Sequence, residues 1–200
     1  MKNPGFHLLC LSLLLGCHSK SDQIMDAFKK VDASINRSKD SLLMDNTACA
    51  YYYFRIQQAA AQNKALSSNA DTLYTSIKTA TTLIDEIHNR LQAQDSAGEN
   101  THVATAFLLH TPTGDRLERS IMDVYNHCYS GLVSPGKKAV LDSIFSSFSA
   151  FPHGRWQETY FKNVPTVAAL TELDYCRNCC LAGARVTLVD MDSALSRGAN

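Results

Sequence analysis

Residues 64–91 read KALSSNADTLYTSIKTATTLIDEIHNRL, and their apolar members decide the fold class. Leu66, Ala70, Leu73, Ile77, Ala80, Ile84, Ile87 and Leu91 alternate steps of four and three without interruption. That spacing returns to one side of a helix every two turns, whereas a strand would need alternation every second residue. The register runs backwards through Asn63, Ala59, Ile56, Tyr52 and Cys49. A seam of this period packs against neighbouring helices at a shallow crossing angle. At about 1.5 Å per residue, an unbroken rod from Cys49 to Leu91 would reach roughly 65 Å, longer than most compact domains. A kink or break is therefore expected, and the polar Ser67-Ser68-Asn69 run is its candidate place.

The segments on either side are also helical in pattern. From His18 to Ala97 there is neither glycine nor proline, which points to helices with short polar joints. Ile24, Phe28, Val31 and Ile35 mark one face of a first amphipathic helix. Asp45-Asn46-Thr47 interrupts the apolar pattern and offers side-chain oxygens for an N-cap. Residues 94–116 are irregular, with an apolar part from Val103 to Leu109 that suits a short strand or a covering loop. Leu117, Ile121, Val124 and Cys128 define another helix, ending near Gly131. Ser134-Pro135 reads as an N-cap and first helical residue for a short helix carrying Val140, Leu141, Ile144, Phe145 and Phe148. Phe151-Pro152-His153-Gly154 breaks that helix. A closing helix spans about Thr166 to Ala194, with Val167, Leu170, Leu173, Cys176, Cys180, Leu188 and Met191 on its buried side. The expected architecture is all-α, a helical bundle of four to five helices with one long helix.

The start of the chain carries an address. An apolar stretch from Phe6 to Leu15, preceded by Lys2, ends in Leu14-Leu15-Gly16-Cys17. The stretch is about ten residues, where a spanning helix needs roughly 20. Leu-Leu-Gly before a cysteine has the form of a bacterial lipobox, with cleavage before Cys17 and lipid on its thiol. The alternative is an ordinary secretory signal followed by an incidental cysteine. Acyl chains contribute about 0.8 kcal/mol per buried methylene, so two or three of them hold a protein at a membrane effectively permanently. The division expected is a signal peptide over residues 1–16, a lipidated tether over 17–22 and a helical domain over 23–195.

Composition narrows the partners. Of 200 residues, 19 are Lys or Arg and 19 are Asp or Glu, and loss of Lys2 with the signal leaves 18 against 19, a charge of −1. No basic stripe interleaved with aromatics occurs, so nucleic acid is not an expected partner. Hydrophobic residues make up 45% of the chain, enough for one domain with a real core.

Several side chains invite chemistry. Of seven cysteines, Cys10 leaves with the signal and Cys17 takes lipid, leaving Cys49, Cys128, Cys176, Cys179 and Cys180. Cys176 and Cys180 share a helix face with Cys179 close by, a set that suits core thiols, a structural disulfide, a metal or a redox pair. No fourth zinc ligand stands near, so no metal site and no cofactor is assigned. Cys49 and Cys128 sit on neighbouring seams and form a candidate disulfide if their α-carbons approach to about 5.5 Å. Tyr51, Tyr52, Tyr53 and Phe54 cover more than half of a helix circumference, so at least one ring must meet solvent or a partner; they are the candidate partner-binding residues. No catalytic residues are assigned: the histidines are scattered, His127 and Cys128 point about 100° apart, and no glycine-rich phosphate loop or Gly-x-Ser-x-Gly occurs.

From Trp156 to Leu173 the chain reads WQETYFKNVPTVAALTEL. In the order of its aromatic, Phe, Pro and small-and-apolar helix start, this resembles the end of the N-terminal periplasmic domain of GldM, also called PorM. Residues 24–43, with Asp-Ala-Phe-Lys-Lys-Val-Asp-Ala-Ser-Ile, resemble that family's first periplasmic helix. Residues 70–91, with Asp-Thr-Leu-Tyr, resemble its long second helix. The likeness covers roughly residues 22–192 and rests on packing motifs, with Trp156, Phe161 and Pro165 as the family-motif packing residues. It implies a place in the type IX secretion and gliding machinery of Bacteroidetes, protein partners from that apparatus, and homodimerisation as in the family. Two departures bear on role. A lipoprotein signal stands where the family has a transmembrane helix that pairs with GldL, and the sequence stops where the family continues into β-rich domains. Cys176, Cys179 and Cys180 also replace residues that are usually polar. The resemblance thus implies a lipoprotein that is an accessory, paralogue or remnant of the apparatus, and not its motor subunit.

The combined expectation is a non-enzymatic protein of the cell envelope, lipid-anchored at the outer membrane and facing the periplasm, that binds protein partners. The alternative is a helical lipoprotein that binds a small molecule or metal through its cysteine cluster or aromatic patch.

Overall fold

The computed structural model describes residues 39–59, 61, 63–149 and 155–198, and the seam of residues 66–91 lies where its periodicity places it, on the inner side of a helix. Ala70, Leu73, Ile77, Ala80, Ile84, Ile87 and Leu91 are all buried, and Leu66 is partly buried against the same core. Each buried Leu or Ile contributes about 2 kcal/mol of transfer free energy, so the seam dominates the packing of this helix.

The rod is broken, at a different place from Ser67-Ser68-Asn69. The first described helix, α1 (Lys39–Gln58), ends before a joint, and α2 (Lys64–Gln94) begins after it. Asn63 adopts extended backbone and its side-chain oxygen accepts the Leu66 N–H at 3.1 Å, capping α2. Ser67 is buried within α2, where its hydroxyl donates to Gln57 Oε1 at 2.7 Å and its carbonyl accepts from Gln57 Nε2 at 2.9 Å. Those bonds hold α1 folded back on α2 as an antiparallel hairpin. Asp45-Asn46-Thr47 likewise lies inside α1 and does not start a helix. Asp45 pairs with Arg185 at 2.8 Å, and the exposed side chains of Asn46 and Thr47 leave the helix backbone intact.

Four short helices join the long ones. The apolar run after residue 102 is α3 (Val103–Leu108), neither strand nor loop: Ala104 and Leu108 are buried one turn apart. Next comes α4 (Thr113–Gly131), with Leu117, Ile121, Val124 and Cys128 buried as their spacing predicts. Pro135–Lys137 forms a 3-10 turn, followed by α5 (Lys138–Ile144), α6 (Ser146–Ser149) and α7 (Arg155–Phe161). Ser134 makes no side-chain cap; its hydroxyl donates to Asp190 Oδ1 at 2.6 Å. Val140 is exposed, whereas Leu141, Phe145 and Phe148 are buried.

The closing helix, α8 (Thr166–Gly198), packs against α1, α2 and α4. Its predicted seam from Val167 to Met191 is buried, and Ala169, Leu181 and Ala184 are buried as well, as befits a helix covered on more than one side. Its first turn is tied to the end of α2. Asp95 accepts the N–H groups of Gly98 (3.1 Å) and Asn100 (2.7 Å), and the Gly98 carbonyl accepts from Val167 N–H at 3.0 Å. Gly98 has φ +76°, a conformation that glycine adopts without strain.

The fold is an all-α helical bundle. Among the described residues it has eight α-helices where four to five are expected, and two long ones, of 31 and 33 residues, where one is. Only α1, α2, α4 and α8 carry the bundle; the extra elements are short helices of four to seven residues. No strand occurs among the described residues, and none of their helices is long and apolar enough to cross a membrane. The signal peptide, Cys17, the tether, the predicted helix around Ile24–Ile35 and the 151–154 breaker lie outside the described residues.

Candidate functional site

The aromatic run on α1 is divided by the pitch of the helix. Tyr51 and Phe54 project outward, 54% and 59% exposed, and Met44, two turns before Tyr51 on the same side, is 72% exposed. Tyr53 turns inward, stacks on Tyr74 with ring centres 4.2 Å apart, and donates its hydroxyl to Asp71 at 2.9 Å. That bond to a carboxylate raises the Tyr53 phenol above its ordinary range. Tyr52 is half-buried, edge-on to Tyr51 at 5.1 Å, and borders a groove of about 380 Å³ between α1 and α8. Ala48, Val186 and Val189 line the same groove, with Lys137 and Arg185.

This outer face is held firmly from beneath. Cys49 and Ile56 are fully buried on the opposite side of α1, and two ion pairs flank them: Asp45–Arg185 at 2.8 Å and Arg55–Asp192 at 3.2 Å. Solvent screens both pairs, so they serve mainly to fix the roll of α1 on α8. The Arg55 guanidinium also lies 5.8 Å over the Tyr51 ring. The result is a preset strip of Met44, Tyr51 and Phe54 that stays exposed among the described residues.

The cysteines lie elsewhere, in the core. Cys49, Cys128, Cys176, Cys179 and Cys180 are all buried free thiols. The Cys49 thiol donates to the Leu181 carbonyl at 3.6 Å, and Cys49 and Cys128 are not linked. Burial pushes Cys49 and Cys128 up to about 12 and Cys179 up to about 11, and carries Cys176 and Cys180 well above their ordinary value. Protonated thiols are poor nucleophiles and poor metal ligands. Among the described residues no three His, Cys, Asp or Glu side chains converge where they would hold a metal ion.

Trp156 and Phe161 are buried, with rings edge-on at 5.4 Å and 88°, and both face the core beneath α7. The Pro165 carbonyl accepts from the Ala168 (2.9 Å) and Ala169 (3.2 Å) N–H groups and so starts α8. All three therefore pack or cap.

One pairing had no signal in the sequence. His127 Nδ1 lies 2.7 Å from Ser76 Oγ, across 51 residues. The Ser76 hydroxyl also donates to the Thr72 carbonyl at 3.0 Å, an ordinary contact within its own helix. The Ser76–His127 pair fastens α4 to α2. A further groove of about 770 Å³ runs between those helices; Lys78, Arg116 and Arg119 line it together with Glu86 and Asp123, so its charge is mixed.

No protein-family model and no curated protein matches this chain.

Proposed function

We propose that the protein is a lipid-anchored, non-enzymatic component of the cell envelope whose helical domain binds another protein through the outer face of α1, in type IX secretion or gliding. The observation that carries this reading is the exposed Met44, Tyr51 and Phe54 strip on a helix fixed by two ion pairs. Large apolar side chains presented on a rigid support lose little conformational entropy on binding, which is how interface anchors work. The Leu14-Leu15-Gly16-Cys17 signal supports the anchor, and the GldM-like order of helices supports the kind of apparatus served. The alternative of metal or redox binding through the cysteines has buried, protonated thiols against it.

The anchor is tested by fractionating cells that express the wild type and Cys17→Ser. Wild-type protein is expected in the membrane fraction and to carry acyl chains detectable by mass spectrometry. The variant is expected to lose the acyl mass and the membrane association. Wild-type protein recovered soluble and without acyl chains would identify the signal as a plain secretory one.

A further inference from the structure

The seam between α7 and α8 holds two buried polar atoms without partners among the described residues: Trp156 Nε1, a donor, and Glu172 Oε1, an acceptor. Glu172 lies on the side of α8 that carries Tyr175, Cys176 and Cys179, one and two turns further on. Aromatic rings line the seam, beside the half-buried Glu172. Trp156 is 6.1 Å from Tyr160 and 5.1 Å from Phe148, and Phe148 is stacked on Tyr175 at 6.4 Å. Among the described residues, the groups that face Glu172 and can titrate are Tyr160 from α7 and Tyr175, Cys176 and Cys179 from α8 itself. All of these are neutral at neutral pH. From α6 come Phe148 and Ser147, the latter donating to the Tyr175 hydroxyl at 3.3 Å. Asp174, with Arg177 and His88, lies on another side of α8. Among the described residues, no hydrogen-bond donor reaches Glu172 Oε1.

We propose that Glu172 is a proton-operated latch on α7: protonated, it lets the aromatic seam close, and ionised, it loosens α7 and admits water to Trp156 and Cys179. The physical reason is the asymmetry of burial. A neutral carboxyl costs little beside a ring cluster, whereas a carboxylate without a partner must either regain water or be neutralised. Burial lifts the Glu172 carboxyl from 4.5 to about 7. A folded value above the unfolded one gives stability that is complete below the unfolded value and is lost as pH rises through the folded one. The seam therefore closes on the acid side of neutrality and loosens on the alkaline side. α7 is the element to yield, being a seven-residue helix against the 33 residues of α8.

Trp156 is the only tryptophan in the chain, so its fluorescence reads this seam alone. Emission and acrylamide quenching of the purified protein are followed from about pH 5 to about pH 9. The wild type is expected to shift reversibly to longer wavelength, with about a twofold rise in quenching constant and a midpoint near 7. Glu172→Gln, neutral and of the same shape, is expected to hold the low-pH spectrum throughout. A wild type without a transition in this range, or a Glu172→Gln variant that keeps it, overturns the latch. Carbon NMR titration of the glutamate carboxyls of the wild type gives a readout that needs no variant. One carboxyl with a midpoint near 7 supports the latch, and all midpoints near the ordinary 4.5 overturn it.

Discussion

Asp190→Ala is expected to lower the stability of the domain by about 3 kcal/mol. Asp190 is buried on α8, and its carboxylate organises the corner between α4 and the 3-10 turn. Oδ2 accepts the N–H groups of Val133 and Ser134, both at 2.8 Å, and Oδ1 accepts the Ser134 hydroxyl at 2.6 Å. Alanine removes three acceptor contacts at once and leaves two main-chain donors without a partner. A fully buried donor so orphaned costs about 1–3 kcal/mol, and the part-buried Val133 and Ser134 N–H groups fall at the lower end of that range. Urea unfolding should show a lower midpoint with an unchanged slope. Asp190→Asn, which keeps one side-chain oxygen, is expected to lose about 1 kcal/mol. A loss in the alanine variant no greater than in the asparagine variant would show that water already serves this corner. The sign of the pH response follows from the same contacts. Burial raises the Asp190 carboxyl, but the bonds from Ser134 and Val133 outweigh it and hold the group below its ordinary 3.8. Its contribution is present above that value and is lost as pH falls through the lower folded one. Glu172 acts in the opposite direction, so the fold is squeezed from the acid side by one carboxyl and from the alkaline side by the other.

The second large effect is expected at a glycine. Gly114→Ala should destabilise the protein by about 3 kcal/mol, although alanine in a helix normally gains about 1 kcal/mol over glycine. Gly114 is buried in the first turn of α4, where a β-carbon would lie within 2.2 Å of the Leu108 carbonyl oxygen and 3.2 Å of its carbon. That oxygen belongs to the backbone at the end of α3. It cannot swing aside as a side chain could, so α3 and α4 would have to separate. Gly136→Ala is the matching control, because nothing lies within 4 Å of its added carbon, and it should change the thermal midpoint hardly at all. Equal midpoints for the two variants would remove the close-approach explanation.

What the sequence made legible follows from how each signal works. The four-three spacing from Leu66 to Leu91 and the helical spacing from Val167 to Met191 report burial directly, and both seams are buried except for the partly buried Leu66. Breaks were harder to place, because polar residues break a helix only when their side chains find main-chain partners. Asn63 caps α2 through Leu66 N–H, whereas Ser67 bonds Gln57 and stays inside the helix. Asp45 has the composition of a cap, yet it pairs with Arg185, 140 positions away, which local pattern cannot reveal. The same limit hid the Ser134–Asp190 corner and the Ser76–His127 pair. For the candidate site, the run Tyr51–Phe54 required some outward rings, and Tyr51 and Phe54 are those rings. That Tyr53 turns inward depended on Tyr74 and Asp71 across the hairpin. The orphaned Glu172 oxygen was invisible for a related reason: a glutamate in a helical pattern reads as solvated until the rings beside it are placed.

Binding of a protein partner at the outer face of α1 is tested most directly by replacing its two aromatic anchors. Tyr51→Ala and Phe54→Ala together remove exposed rings, so the thermal midpoint should shift by no more than about 2 °C. Affinity purification from envelopes of the native organism should recover secretion or gliding proteins with the wild type. The double variant, equally abundant and equally membrane-bound, should recover them at least about tenfold less well. Recovery of the same proteins in the same yield by both forms would contradict partner binding at this face.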